Sequence, residues 1–228
     1  ATPMFTKPLL VCLFSAGLLA TAHPAQAQEE KSADYGLGVN ARQLQLTRGL
    51  AEVFTEKAPG GTRTNGASVE FSKRGKQLEF VFGFGYDDLN ASDGYYLETA
   101  GDPLTPGEVD FTEFQKFHVY TIDATLLGYL KLHKILALRY GAGLGVGIVR
   151  GKVLRTDAIC TSSNIQQDCV PDPAGAQQRK AANIPKAIPV LNMLAGIQFR
   201  PLDMLAINID IGLRNVPYIG ASAMFYLW

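Results

Sequence analysis

The chain has 228 residues, 47% hydrophobic and 18% charged, with 21 Lys and Arg balanced by 21 Asp and Glu. A formal net charge of zero leaves no basic excess to neutralise a phosphate backbone, so nucleic acid is excluded as a partner. The length allows one sizeable domain or two small ones, and 23 Gly with 12 Phe and 9 Tyr tilt the composition toward β structure.

At the N-terminus Lys7 precedes the apolar run "PLLVCLFSAGLLATA" (8–22), which leads into "HPAQAQEE" (23–30). A basic residue, an apolar stretch and the small pair Ala25 and Ala27 describe a secretory signal peptide, residues 1–27, cleaved before Gln28. A membrane anchor needs about 20 apolar residues and no cleavage motif. Val11 stands where a lipoprotein site needs a small residue, and Cys12 precedes most of the apolar run, so a lipid anchor is not expected.

Beyond residue 33 no helical period is sustained over a dozen residues, whereas period two recurs. In 35–46, Tyr35, Leu37, Val39 and Ala41 alternate with Gly36, Gly38, Asn40 and Arg42. In 66–73, Ala67, Val69 and Phe71 alternate with Ser68, Glu70 and Ser72. In 77–86, Leu78, Phe80, Phe82, Phe84 and Tyr86 oppose Glu79, Val81, Gly83 and Gly85. In 117–131, Tyr120, Ile122, Ala124 and Leu126 oppose Thr121, Asp123 and Thr125.

The clearest case covers 136–148, where Leu136, Leu138, Tyr140, Ala142, Leu144, Val146 and Ile148 oppose Ala137, Arg139 and the glycines 141, 143, 145 and 147. No glycine follows a G-x-G pair at the spacing of a dinucleotide loop, and no helical pattern follows, so this run is not a phosphate loop. Three further strands are expected at 189–200, 204–214 and 218–228. In the first two, Leu191, Met193, Ala195, Ile197 and Phe199, then Leu205, Ile207, Ile209, Ile211 and Leu213, make the apolar faces. Asn192, Gly196 and Gln198, then Asn208, Asp210 and Gly212, lie opposite.

Eight strands of this kind fit two architectures. A soluble ligand-binding barrel turns its apolar face inward and needs a charge-rich exterior. Here the second face is Gly, Ser, Thr and Asn with single charges, too sparse to coat a soluble protein. Apolar face to lipid and small polar face to a narrow interior satisfies both faces, and a closed barrel leaves no unpaired edge in hydrocarbon. The fold class expected is therefore all-β, an eight-stranded antiparallel up-and-down transmembrane β-barrel. The links fall at about 47–65, 74–76, 87–116, 132–134, 153–188, 201–203 and 215–217. All even-numbered links are very short and three of the four odd-numbered ones are long, the alternation of periplasmic turns with external loops.

On this pattern residues 28–228 resemble the small outer-membrane β-barrel proteins of Gram-negative bacteria. The C-terminal "GASAMFYLW" sharpens the likeness: Met224, Tyr226 and Trp228 alternate to the end, similar to the signal by which the barrel-assembly machinery recognises its clients. The resemblance implies an outer-membrane location with both termini periplasmic, lipid and lipopolysaccharide as surroundings, and no appended peptidoglycan-binding domain.

Eight strands enclose an interior just wide enough for side chains. Arg42, Glu70, Glu79, Asp123, Arg139 and Asp210 fall on the inward parity and are expected to pair as a polar plug; a proton or ion path is the functional alternative. Cys160 and Cys169, in a chain bound for an oxidising compartment, are expected to form a loop disulfide. "CTSSNIQQDC" offers only Asp168 besides the thiols, too little for a metal site.

Catalysis finds little support. After signal removal only His118 and His133 remain, and no serine motif accompanies His118, so no catalytic residue and no cofactor is assigned. Residues 87–114 hold eight acidic residues and no Lys or Arg, without a regular calcium-loop spacing. Residues 48–57 suit a short amphipathic helix at the membrane interface. The sequence thus favours a structural or loop-mediated binding role with an unidentified extracellular partner. A lipid-modifying enzyme and a narrow transporter for small apolar compounds are the alternatives.

Overall fold

A computed structural model describes residues 34–47, 58–97, 109–162, 164–180 and 184–227. The expected signal peptide, the expected interfacial helix at 48–57 and Trp228 lie outside the described residues.

The long strands are β1 (Asp34–Leu46), β2 (Thr62–Arg74), β3 (Leu78–Asp88), β5 (Val109–His133), β6 (Leu136–Cys160), β9 (Ala187–Leu202), β10 (Leu205–Arg214) and β11 (Val216–Leu227). Three short ones, β4 (Gly94–Leu97), β7 (Cys169–Pro171) and β8 (Arg179–Lys180), lie beside β5 and β6. The eight long strands form a closed antiparallel ring, β1–β2–β3–β5–β6–β9–β10–β11. It is sealed by β11 on β1, from Tyr35 opposite Leu227 to Leu44 opposite Tyr218. Both described chain ends lie at the rim that carries the tight β2–β3, β5–β6 and β9–β10 turns.

Alternation decides what each residue meets. On β6, Arg139, Gly143 and Gly147 are buried while Leu138, Tyr140, Leu144, Val146 and Ile148 are exposed. The same inversion runs round the ring, with Val39, Phe84, Ile122, Ile197 and Ile209 exposed and Ser72, Glu79, Asn208 and Asp210 each 1% exposed or less. A water-soluble sheet has the opposite arrangement.

The opposite rim is uneven. β2 begins at Thr62 rather than 66, β5 at Val109 rather than 117, and β6 continues to Cys160 rather than ending near 152. The links expected at 87–116 and 153–188 therefore contain strand, because hydrogen bonding of the β5–β6 ladder continues past the end of the apolar belt. Above the belt this hairpin recruits β4 and β7 around a second, small core of Leu97, Val109, Ala158, Ile165 and Cys169, packed by Tyr95 and Cys160. The disulfide Cys160–Cys169 joins directly opposed residues of β6 and β7. At this rim only β10 and β11 are joined tightly, through Asn215 at φ 55°. Asn tolerates that left-handed conformation, and its side-chain amide donates to the Pro189 carbonyl at 2.8 Å and accepts from Leu191 N–H at 2.8 Å.

Candidate functional site

Charged and polar side chains line the interior in two layers. In the upper layer Asp87, from the top of β3, takes Arg42 Nε at 2.7 Å on one oxygen and Arg214 Nε at 3.2 Å on the other. Arg42 also donates to Ser68 Oγ at 3.0 Å, which in turn donates to Glu70 at 3.2 Å. Arg214 Nη2 donates to Asp123 at 2.5 Å and to Thr121 Oγ1 at 2.7 Å. Asn192 donates to Thr125 at 3.1 Å and accepts from Tyr218 at 3.4 Å, extending the layer across the barrel.

The lower layer centres on Glu79. Its carboxylate accepts from Tyr129 O–H at 2.5 Å and from Tyr226 O–H at 2.9 Å, with Arg74 Nη1 at 4.0 Å. Arg74 lies 4.2 Å from the centre of the Tyr129 ring and donates to Gln198 at 3.0 Å. Gln198 continues through Asn208 to Ser222 at 2.9 Å each. Between the layers Arg139 Nε stands 3.2 Å from Asp210 Oδ1. Glu70, Arg139, Asp210 and their neighbours surround a small cavity of about 30 Å³.

The structure therefore brings Arg42, Glu70 and Asp123 into one hydrogen-bonded layer, pairs Arg139 with Asp210, and puts Glu79 in the other layer. Arg74, Asp87, Tyr129 and Arg214 are part of this interior and were not picked out from the sequence. All four sit on the inward parity of their strands, one step beyond where the apolar alternation stops being obvious. Met224 and Tyr226 point inward, 3% and 4% exposed, and Tyr226 is a lumen residue by its contacts.

β6 glycines make the crowding possible. Gly141, Gly143 and Gly145 stand opposite Leu127, Thr125 and Asp123 of β5. A Cβ at Gly143 would lie 2.3 Å from Thr125 Oγ1, and one at Gly145 would lie 2.5 Å from Asp123 Cβ. The β5 side chains occupy the room the glycines leave.

Outside the belt, Asp110 is buried and accepts both of its hydrogen bonds from Arg179 Nη2, at 2.9 and 3.0 Å, with Arg155 at 3.6 Å. Arg179 also reaches Asp157 at 3.0 Å, clamping β8 onto the hairpin. Burial pushes the Asp110 carboxyl above its ordinary range, against the opposing pull of Arg179 and Arg155. Burial, aided by the Asp93 carboxylate, pushes the Tyr96 hydroxyl up to about 12.

His118 lies at the top of the belt, its ring 5.2 Å from those of Tyr86 and Tyr120. Its Nδ1 donates to the Lys116 carbonyl at 2.7 Å, and among the described residues no serine or carboxylate hydrogen-bonds it. No group of three potential metal ligands occurs among the described residues.

No family model matches the chain, and no curated protein matches it in sequence. Among solved structures it is similar to Ail, the attachment invasion locus protein of Yersinia pestis, in complex with the heparin analogue sucrose octasulfate. The identity is 12% and the TM-score 0.44, over 86% of this chain and 100% of that one. Neisserial surface protein A (NspA) is similar at 11% identity and TM-score 0.43, over 86% of this chain and 99% of that one. A designed transmembrane β-barrel is similar at 9% identity and TM-score 0.39, over 88% and 100%. The ring of eight antiparallel strands is given by the strand pairing of the chain itself.

Proposed function

We propose that the chain is an integral protein of the bacterial outer membrane with a polar plug in its lumen and a non-enzymatic, binding role carried by its external β-sheet. The observation that supports this most is the pairing of a continuous exposed apolar belt with an interior of buried ion pairs. From Tyr120 to Leu130 on β5 the outward side is apolar; ten residues at about 3.4 Å each, tilted about 40°, rise about 26 Å, the height of an outer-membrane belt. On this placement the rim with the tight turns and both described ends is periplasmic, and the β4–β5–β6–β7 sheet is external. β11, with Phe225 and Leu227 outward and Met224 and Tyr226 inward, is the segment we assign to recognition by the barrel-assembly machinery.

The plug reading rests on the small volume of the central cavity and on the charge pairing around it. The binding reading rests on the external sheet, whose own core, disulfide and Arg179 clamp hold its surface rigid. Rigid surfaces lose less entropy on binding.

The test is expression in a Gram-negative host, followed by fractionation and gel electrophoresis with and without boiling. The protein should reach the outer-membrane fraction and migrate differently when unboiled. Recovery in the soluble periplasm with identical migration would overturn the placement, and discrete conductance steps in planar bilayers would overturn the plug.

A further inference from the structure

We propose that the upper rim of the β5–β6 hairpin binds the phosphate groups of an outer-leaflet glycolipid; this rests on the outer-membrane placement proposed above. At one spot both strands of the hairpin leave regular geometry, with Lys116 at φ 51° and Gly151 at φ 112° and a register shift between Gln115 and His118. A Cβ at Gly151 would lie 2.4 Å from the Lys116 carbonyl oxygen, so only glycine permits the approach and the conformation together. The double irregularity opens a surface hollow of about 630 Å³ lined by Gln115, Lys116, Gly151 and Lys152.

Its height is set by what lies beneath. His118, Tyr86 and Tyr120 form an aromatic girdle there, and aromatic girdles mark the membrane–water interface. The hollow begins immediately above, in the layer where lipid phosphates lie.

Two exposed cations, Lys116 and Lys152, line it, and a third, Arg150, stands at its lower edge. Arg150 stands opposite His118 and Lys152 opposite Gln115. Lys116 is at the bulge itself. Among the described residues no carboxylate lies within ion-pair distance of any of the three. The nearest acids are otherwise engaged or displaced: Asp88, opposite His118, accepts from Asn90 N–H; Glu113 is opposite Leu154, farther up; Asp87 faces inward to Arg42 and Arg214.

The contrast with the sheet above is the argument. There every arginine of the Asp110 cluster meets a carboxylate; here the cations are left for a ligand. The outward residues at the same end of β10 and β11 are Ile211, Leu213, Pro217 and Ile219, all without charge. In a chain of zero net charge, a local group of cations with no carboxylate partner fits a plane of anionic headgroups.

The full chain, folded into phosphatidylcholine nanodiscs, is titrated with bisphosphorylated lipid A, with its dephosphorylated form, and with inorganic phosphate. Wild type is compared with Arg150→Gln, Lys152→Gln and the double variant, each checked for a heat-shifted gel band. We expect bisphosphorylated lipid A to bind wild type, with affinity falling about fivefold for each cation removed. Dephosphorylated lipid A should not distinguish wild type from the double variant, and millimolar inorganic phosphate should not displace the lipid. Unchanged affinity in the folded double variant, equal binding of the two lipid forms, or full displacement by inorganic phosphate would each overturn the site while leaving the membrane placement intact. Failure of wild type to enter the bilayer would overturn both.

Discussion

Asp87 holds much of the interior together, because one carboxylate on β3 receives two arginines from two other strands of the ring. Arg42 belongs to β1 and Arg214 to β10, and both are 4–6% exposed at the side chain. Removing one partner of a buried pair leaves charge without compensation and costs about 3–5 kcal/mol, whereas replacing the whole set by apolar groups is often neutral. Asp87→Ala should therefore lower the urea unfolding free energy in lipid vesicles by about 3–5 kcal/mol. The triple change Asp87→Leu with Arg42→Met and Arg214→Met should recover much of that loss. If the triple variant is no more stable than Asp87→Ala, unpaired charge is not the source of the penalty. Part of this network was legible in the sequence, since Asp123 and Asp210 sit between outward apolar residues and Arg42 continues the inward series of Gly36, Gly38 and Asn40. Asp87 was not, because it is the first residue of an acid-rich stretch and reads as loop. Its odd number nevertheless continues the inward series of Glu79, Val81, Gly83 and Gly85 on β3.

At the scale of a strand, β6 shows why small residues face a crowded interior. Its inward positions are glycine at 141, 143, 145 and 147, and the β5 residues opposite lean across them. Gly145→Ala would place a methyl carbon 2.3 Å from the Ile122 carbonyl oxygen and 2.5 Å from Asp123 Cβ. Backbone cannot yield cheaply, so Asp123 must retreat from Arg214. The substitution should destabilise by about 1–3 kcal/mol, and combining it with Asp123→Ala should give less than the sum of the two effects, as coupled neighbours do. Strict additivity in a double-mutant cycle would show that Gly145 does not act through Asp123. The membrane half of this strand was plain in the sequence because lipid and lumen impose opposite demands on adjacent residues. Its outer half, Gly151–Cys160, was invisible for the complementary reason: beyond the belt both faces meet protein or water, so the two-residue contrast fades while the backbone ladder continues. The second core of Leu97, Val109, Ala158, Ile165 and Cys169 gathers residues from three separate segments, a grouping that no local period encodes.

For the whole molecule the decisive question is what solvent surrounds the ring, and depth along one strand answers it. Leu144 is 70% exposed, stands opposite Ala124 and Leu191, and lies about midway between the aromatic rim and the tight turns. Ile148 is on the same face of the same strand but opposite Tyr120, at the girdle. In water an arginine at either exposed position would change stability by about 0.5 kcal/mol or less, and equally at both. In a bilayer the penalty depends on depth: about 2–4 kcal/mol at the midplane and about 0–1 kcal/mol near the interface. Leu144→Arg should therefore be destabilised by about 2–4 kcal/mol relative to wild type and Ile148→Arg by about 0–1 kcal/mol, measured by reversible unfolding from vesicles of fixed composition. Neither side chain touches the polar interior, so the difference reports the surroundings of the barrel rather than its core. Equal penalties at the two positions would mean that no hydrocarbon layer is centred on Leu144, and the belt would then need a protein or a differently placed membrane to cover it.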